Sequence, residues 1–189
     1  MNHNSNNLII EKTSHAEIFI VKPKQFIDDR GFFSETYQKE KFDKAGIRYE
    51  FMQDNHSYSV KNVLRGLHYQ VVHPQGKLVR VVVGKIFDVG VDLRRSSPYF
   101  GQWAGAILSG ENAHQLWVPP GFGHGFVVLS DEAHVLYKTT DYYFPQGDRC
   151  IRWDDSDLAI DWPIPTVEQP VLSEKDANGT PFSQAEVYA

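Results

Sequence analysis

The stretch Val63-Leu64-Arg65-Gly66-Leu67-His68-Tyr69-Gln70 is followed, after a break at His73-Pro74-Gln75-Gly76, by Lys77-Leu78-Val79-Arg80-Val81-Val82-Val83-Gly84. Both runs have strand length, and in a strand successive side chains point to opposite faces. Lys77, Val79, Val81 and Val83 therefore share one face, and Leu78, Arg80 and Val82 share the other. Lys77 ends an apolar face. An unpaired cation is costly to desolvate, so Arg65, His68 and Lys77 among Val and Leu need solvent on one side or an anionic ligand. A ligand is the expectation; a strand-end lysine that snorkels to water is the alternative at Lys77.

The same pattern continues outward. From residue 51 onward, β-branched and aromatic runs are punctuated by turn residues at Gly84-Lys85, Arg95-Ser96-Ser97-Pro98, Ser109-Gly110-Glu111-Asn112, Pro119-Pro120-Gly121 and Ser130-Asp131-Glu132. Short strands at such intervals predict an all-β antiparallel sandwich or barrel rather than βαβ units. Residues 17–27 read as one extended segment, Asp28-Asp29-Arg30-Gly31 as a turn, and 32–37 as the next strand. Residues 38–46 form the best helix candidate, with Gly46 suited to the position just past its end. The opening Met1-Asn2-His3-Asn4-Ser5-Asn6-Asn7 is polar and lacks apolar residues that could offset ordering entropy. A flexible segment over 1–16 and a single domain over 17–189 are expected. The tail from Trp153 onward, rich in proline and acids, is expected to wrap the β body as loops and short helical turns.

Composition narrows the function. The chain has 189 residues, 41% of them hydrophobic, which suits one buried core. A net charge of −5 argues against a sequence-independent grip on nucleic acid, which needs a basic stripe. No apolar run approaches the roughly 20 residues needed to cross a bilayer. One cysteine, Cys150, cannot form an internal disulfide, and no leader opens the chain, so a cytoplasmic location is expected.

Among residues able to do chemistry, His68 shares a face with Gln70, and Arg65 reaches the same site only if the strand is irregular near Gly66. A core histidine is the alternative. His124 lies in Gly121-Phe122-Gly123-His124-Gly125-Phe126, where glycines permit close backbone approach or a tight turn. Tyr137 alternates with Leu136 and Lys138 and points inward, as a core tyrosine or a working one. A metal would have to be gathered from scattered ligands such as His68, His73 and His124, and the nearby Lys and Arg would oppose a dication. There is no phosphate-binding Gly-rich loop and no Gly-x-Ser-x-Gly elbow.

These residues also fit a known pattern. Asp29-Arg30-Gly31-Phe32-Phe33-Ser34-Glu35, Gln53-Asp54-Asn55-His56-Ser57, Val63 to His68, Gly76 to Arg80, Phe87-Asp88-Val89, Gln115 to Pro119, Gly123 to Phe126 and Tyr137-Lys138 occur in order. From about residue 17 to about 182 the chain resembles dTDP-4-dehydrorhamnose 3,5-epimerases. The resemblance implies a cupin-type double-sheet jelly roll with short peripheral helices, forming a homodimer that needs no metal or other cofactor. It implies inversion of C3 and C5 of a dTDP-linked 4-keto-6-deoxy sugar on the way to dTDP-L-rhamnose. His68 would be the base, oriented by Asp176; Tyr137 would return the proton, and Lys77 would hold the C4 oxygen. Arg65 and His124 would line the pocket. Arg30, Arg65 and Lys175 would meet the diphosphate, Gln53 and Asn55 the nucleotide, and Phe26, Glu35 and Tyr142 the base. Phe26, Arg30 and Glu35 would reach into the partner's site. Asp148 stands where the family often has glutamate, one methylene shorter, which weakens that contact on the nucleotide side.

Competing expectations remain open at this point: an epimerase of C3 or C5 alone, a ketoisomerase on the same roll, a non-catalytic sugar-nucleotide binder, or a metal-dependent cupin oxygenase.

Overall fold

The computed structural model describes residues 8–164 and 169–189; the expectation of a mobile Met1–Asn7 lies outside them. Among the described residues, chain order gives β1 (Leu8–Lys12), β2 (Phe19–Pro23), β3 (Gln25–Asp28), β4 (Gly31–Ser34), α1 (Lys39–Lys44), β5 (Gln53–Val60), β6 (Leu64–Gln70) and β7 (Lys77–Asp92). Then follow β8 (Trp103–Ser109), β9 (Gln115–Val118), β10 (Phe122–Thr139), β11 (Asp148–Cys150) and α2 (Glu174–Ala177). Among the described residues, no helix is long and apolar enough to cross a membrane.

Two long antiparallel strands organise the rest. β7 and β10 run 16 and 18 residues and pair with each other at both ends, with a register break between Val128 and Ala133. On one side of the break, the order is β1-β2-β9-β7-β10-β5; on the other it is β8-β7-β10-β6-β11. The same two strands thus serve both sheets of an all-β double-sheet jelly roll, with α1, α2 and two 3-10 turns as the only helical pieces among the described residues.

The break falls where the sequence predicts turns. Gly84 has φ +79°, a left-handed conformation that favours glycine, and a Cβ there would lie 1.9 Å from the Glu132 carbonyl oxygen. Ser130 accepts the Lys85 amide at 2.7 Å through Oγ. Gly84-Lys85 and Ser130-Asp131-Glu132 are therefore corners inside continuous strands, not strand ends.

The alternation read from Lys77 holds for its first half. Val79 and Val81 enter the core between the sheets with Ile86, Leu108, Leu116, Val118, Phe122, Phe126 and Val135. Leu78 faces outward, into a second cluster with Val21, Trp117, and Phe42 and Ile47 in or just beyond α1. Near the corner the pattern ends, and Val82 and Val83 are exposed. Helix α1 starts at Gln38, whose side chain accepts the Lys41 amide at 2.8 Å, and Gly46 (φ +93°) follows its last turn. Burying Phe42 contributes about 2 kcal/mol toward holding this helix on the sheet.

The amino-terminal reading needs correction over 8–16. Leu8–Lys12 pairs along its length with β2, and Leu8 and Ile10 pack against the Val21 cluster. Alternating apolar residues gave this segment a face to bury. Residues 17–27 also form two strands rather than one. β2 joins the main sheet, whereas β3, among the described residues, pairs only with β4. The tail wraps as expected, tied by bridges from Val171 to Val63, Thr180 to Ile151 and Tyr188 to Arg94.

Candidate active site

A cavity of about 510 Å³ opens where β5, β6, β7 and β10 meet α2. Strand alternation delivers Gln53, Asn55 and Ser57 from β5, His68 and Gln70 from β6, Lys77 from β7 and Tyr137 from β10. Arg65 joins them because β6 is irregular at Gly66. His124 pairs with His68 and Phe126 with Arg65, so three steps on β6 oppose two on β10. Gly66 has φ +127°, and a Cβ there would come 2.5 Å from the Gly125 Cα. Glycine at both positions lets the two backbones approach and brings Arg65 and His68 to one site.

His68 is half-buried, and its Nε2 lies 2.7 Å from Asp176 Oδ1. Asp176 is buried at the start of α2. It also accepts the Gly66 amide at 3.0 Å and the Ser173 hydroxyl at 2.6 Å. Burial alone would raise its pKa, but the bonds from His68, Ser173 and Gly66 prevail and hold the carboxyl down to about 2. Ionised Asp176 only accepts, so the Nε2 of His68 donates to it, and the lone pair of the neutral ring is the one at Nδ1.

Lys77 is buried and donates to the His68 carbonyl oxygen at 3.2 Å. Burial brings its pKa down to about 8, opposed by the negative charges of Asp88 and Asp148. Its ammonium survives at neutral pH. Burial also raises the Tyr137 hydroxyl above its ordinary value, so it remains a proton donor. His124 is buried with Nε2 2.7 Å from Asp88 Oδ1, and burial lowers its pKa.

The cavity thus gathers His68, Tyr137, Lys77, Asp176, Arg65, His124, Gln53 and Asn55. It does not gather Phe26, Arg30 or Glu35. Those lie on or beside the exposed β3–β4 hairpin, where Arg30 pairs with Asp28 and Glu35 with Lys41 at 2.6 Å. Asp148 and Lys175 form an ion pair beside the cavity, and Asp148 also accepts the Tyr143 hydroxyl at 2.9 Å. Tyr142 is exposed, and its neighbour Tyr143 lines the cavity instead. Sequence reading missed Tyr143, Gln75 and Ser57. Period two from Gln53 and Asn55 points to Ser57, but no periodic signal separates Tyr142 from Tyr143 in a loop.

Among the described residues, His68, Cys150 and Asp176 place potential metal-ligand atoms within 4.8 Å of one another. Burial pushes the Cys150 thiol up to about 12, and three donors already occupy Asp176, so the set fits a hydrogen-bonded base better than a metal.

The family model for dTDP-4-dehydrorhamnose 3,5-epimerase matches residues 12–184. The enzyme of that name from Pseudomonas aeruginosa is 54% identical over 173 residues, covering 91% of this chain and 94% of the relative. A dTDP-6-deoxy-D-glucose-3,5-epimerase from Legionella pneumophila, solved in complex with dTDP-4-keto-L-rhamnose, has a TM-score of 0.91 and 50% identity, with 95% of each chain covered. A 3′-monoepimerase from Streptomyces bikiniensis, in complex with dTDP-quinovose, has a TM-score of 0.83 at 30% identity, covering 90% of this chain and 86% of that one. By the family match over most of its length and its identity to curated relatives, the chain belongs to the dTDP-4-dehydrorhamnose 3,5-epimerase family.

Proposed function

We propose that this chain inverts C3 and C5 of dTDP-4-dehydro-6-deoxy-D-glucose to give dTDP-4-dehydro-L-rhamnose, by proton removal and return through an enolate. The observation that carries the reading is the oriented base, His68 on Asp176, in one cavity with the buried ammonium of Lys77 and the buried hydroxyl of Tyr137. Carbons flanking a ketone are acidic because the electron pair left by the proton delocalises onto the ketone oxygen. His68 Nδ1 takes the C3 proton, the pair moves to the C4 oxygen, and the Lys77 ammonium holds the resulting oxyanion. Tyr137 then protonates C3 from the opposite face. His68 and Tyr137 regain their starting states by exchange with solvent, and the same cycle acts at C5.

Arg65, with Lys175 beside the cavity, fits the diphosphate, since an arginine fork matches phosphate oxygens. Gln53 and Asn55 are joined by a 2.8 Å bond, and Gln53 also accepts the Tyr143 amide, a polar wall suited to the nucleotide. Tyr143 replaces Tyr142 as the ring beside the base. The enzyme works as a cytoplasmic homodimer in which Phe26, Arg30 and Glu35 of one protomer complete the other's site. Exposure of Ile27, Phe32 and Phe33 on a hairpin with no cover of its own supports that arrangement.

The test is proton NMR of the substrate in D2O, trapping product with a 4-ketoreductase. Deuterium entering at both C3 and C5 is expected, with loss on the order of 10³-fold or more in His68→Asn and Lys77→Ala. Exchange at one carbon would make the chain a mono-epimerase. No exchange would sink the catalytic reading.

A further inference from the structure

Behind the cavity, Asp88 is fully buried and does not line it. Its Oδ1 accepts from His124 Nε2 at 2.7 Å, while its Oδ2 has no hydrogen-bond partner among the described residues. A second fully buried histidine–aspartate contact among the described residues behaves differently. Asp92, 3.6 Å from His15, receives bonds from Arg94 and Ser97 on both oxygens. A structural carboxylate is satisfied in that way. A buried carboxylate with a bare oxygen is expensive to keep ionised and persists when nearby charge offsets the cost.

The groups around it supply that charge. His124, Lys77 and His68 line the one cavity, with Asp88 bonded to His124 from behind; the charges of Asp88, Lys77 and His68 act on His124, and those of Asp88, Asp148 on β11 and Lys175 on α2 act on Lys77. Lys77 is the buried cation within Asp88's field, and Asp148 is already paired with Lys175.

We infer that Asp88 is a positioning residue for the reaction proposed above: from behind His124 it fixes the imidazole as the neutral Nε2–H tautomer, and it supplies the counter-charge that keeps Lys77 an ammonium. Two consequences follow for the site. His124 presents a lone pair at Nδ1 and accepts a hydrogen bond, so it reads a sugar hydroxyl rather than assisting Lys77 at the C4 oxygen. The negative charge of Asp88 favours the ammonium form of Lys77. Burial already draws the lysine down to about 8, so loss of the carboxylate lowers it further.

The tautomer is tested in the unaltered protein, independently of activity. Nitrogen-15 NMR of histidine-labelled protein, with His124 assigned by a His124→Gln variant, is expected to show a proton on Nε2 and none on Nδ1 between pH 6 and about 8.5. A proton on Nδ1, or a doubly protonated ring, overturns the proposal even if the chain is an active epimerase.

Asp88→Asn tests the counter-charge, because the amide oxygen still accepts from Nε2–H. Expected are a KM within about twofold of the parent, a kcat lower by tenfold or more, and an alkaline limb of kcat shifted to lower pH by about one unit. An unchanged limb overturns the second half. Should Asp88→Asn fail to fold, the chemical shift of the Lys77 amine nitrogen in the parent decides: a lysine already neutral at pH 7 with Asp88 in place would show that Asp88 does not keep it charged. Absence of C3 and C5 exchange in the parent, with the expected tautomer, would instead count against the epimerase reading alone.

Discussion

At the scale of single residues, the base depends on what lies behind it. Asp176 receives His68, Gly66 and Ser173, and these bonds put its carboxyl at about 2, below the ordinary carboxylate value near 3.9. A depressed carboxylate stabilises the fold fully above its unfolded pKa and loses that contribution as pH falls through the folded one. The window is therefore about pH 4 to pH 2, and the contribution at neutral pH is on the order of 2 kcal/mol. Asp176→Asn is expected to lower unfolding free energy at pH 7 by about 1 to 2 kcal/mol and to match the parent near pH 2, by urea titration. Its kcat should fall on the order of 10³-fold, because a neutral amide no longer stabilises the charge that the His68 ring takes on with the proton. Equal activity would show that His68 needs no orienting anion. Much of this was legible: His68, Lys77 and Tyr137 stand out in strand patterns, and the family resemblance brought in Asp176. Asp88 was not legible as a working residue. In Phe87-Asp88-Val89 it looks like one polar position in a strand, and only the backbone path puts it behind His124.

At the scale of elements, glycine placement turns two sequence runs into corners. Gly84 bends β7 from one sheet to the other, opposite the Leu129–Glu132 segment of β10. Gly84→Ala meets both a positive φ and a carbonyl oxygen 1.9 Å from the new Cβ. Backbone cannot yield as a flexible side chain can, so a loss of about 3 kcal/mol or more is expected. Gly31→Ala is the control: its φ is +124°, but nothing lies within 4 Å of the new Cβ. Its loss should be nearer 1 kcal/mol, from the dihedral alone. Equal losses in chemical denaturation would mean that steric closure at the corner is unimportant. The sequence pattern reports alternation and turn chemistry faithfully. It cannot tell a turn that ends a strand from a corner that continues it, since Gly84 and Ser130 signal both. The amino-terminal strand was missed for a similar reason: Leu8 and Ile10 alternate for only a few residues, beside a polar run that resembles a tail.

At the scale of the whole molecule, the hairpin of β3 and β4 is the unfinished part. Among the described residues it pairs with no other strand, and Ile27, Phe32 and Phe33 are mostly exposed. An isolated two-stranded hairpin is marginal in water, so its exposed face calls for a cover. Arg30 at its tip and Glu35 just past β4 lie outside their own cavity, although the family pattern assigns both to substrate binding. A second copy reconciles the two observations if each hairpin completes the partner's site. Mixing two inactive or weakened variants tests this directly. Arg30→Ala alone should raise KM tenfold or more with kcat nearly intact, while His68→Asn alone should abolish turnover. In a mixed dimer, the barrel with native His68 meets the hairpin with native Arg30, restoring one complete site; the other site carries both changes. After unfolding and refolding of an equimolar mixture, random pairing makes about half the dimers mixed, so about one quarter of parental activity should return at substrate well below KM. If the hairpin served its own barrel, no site in the mixture would gain both native residues, and the activity would remain the simple sum of the separate variants.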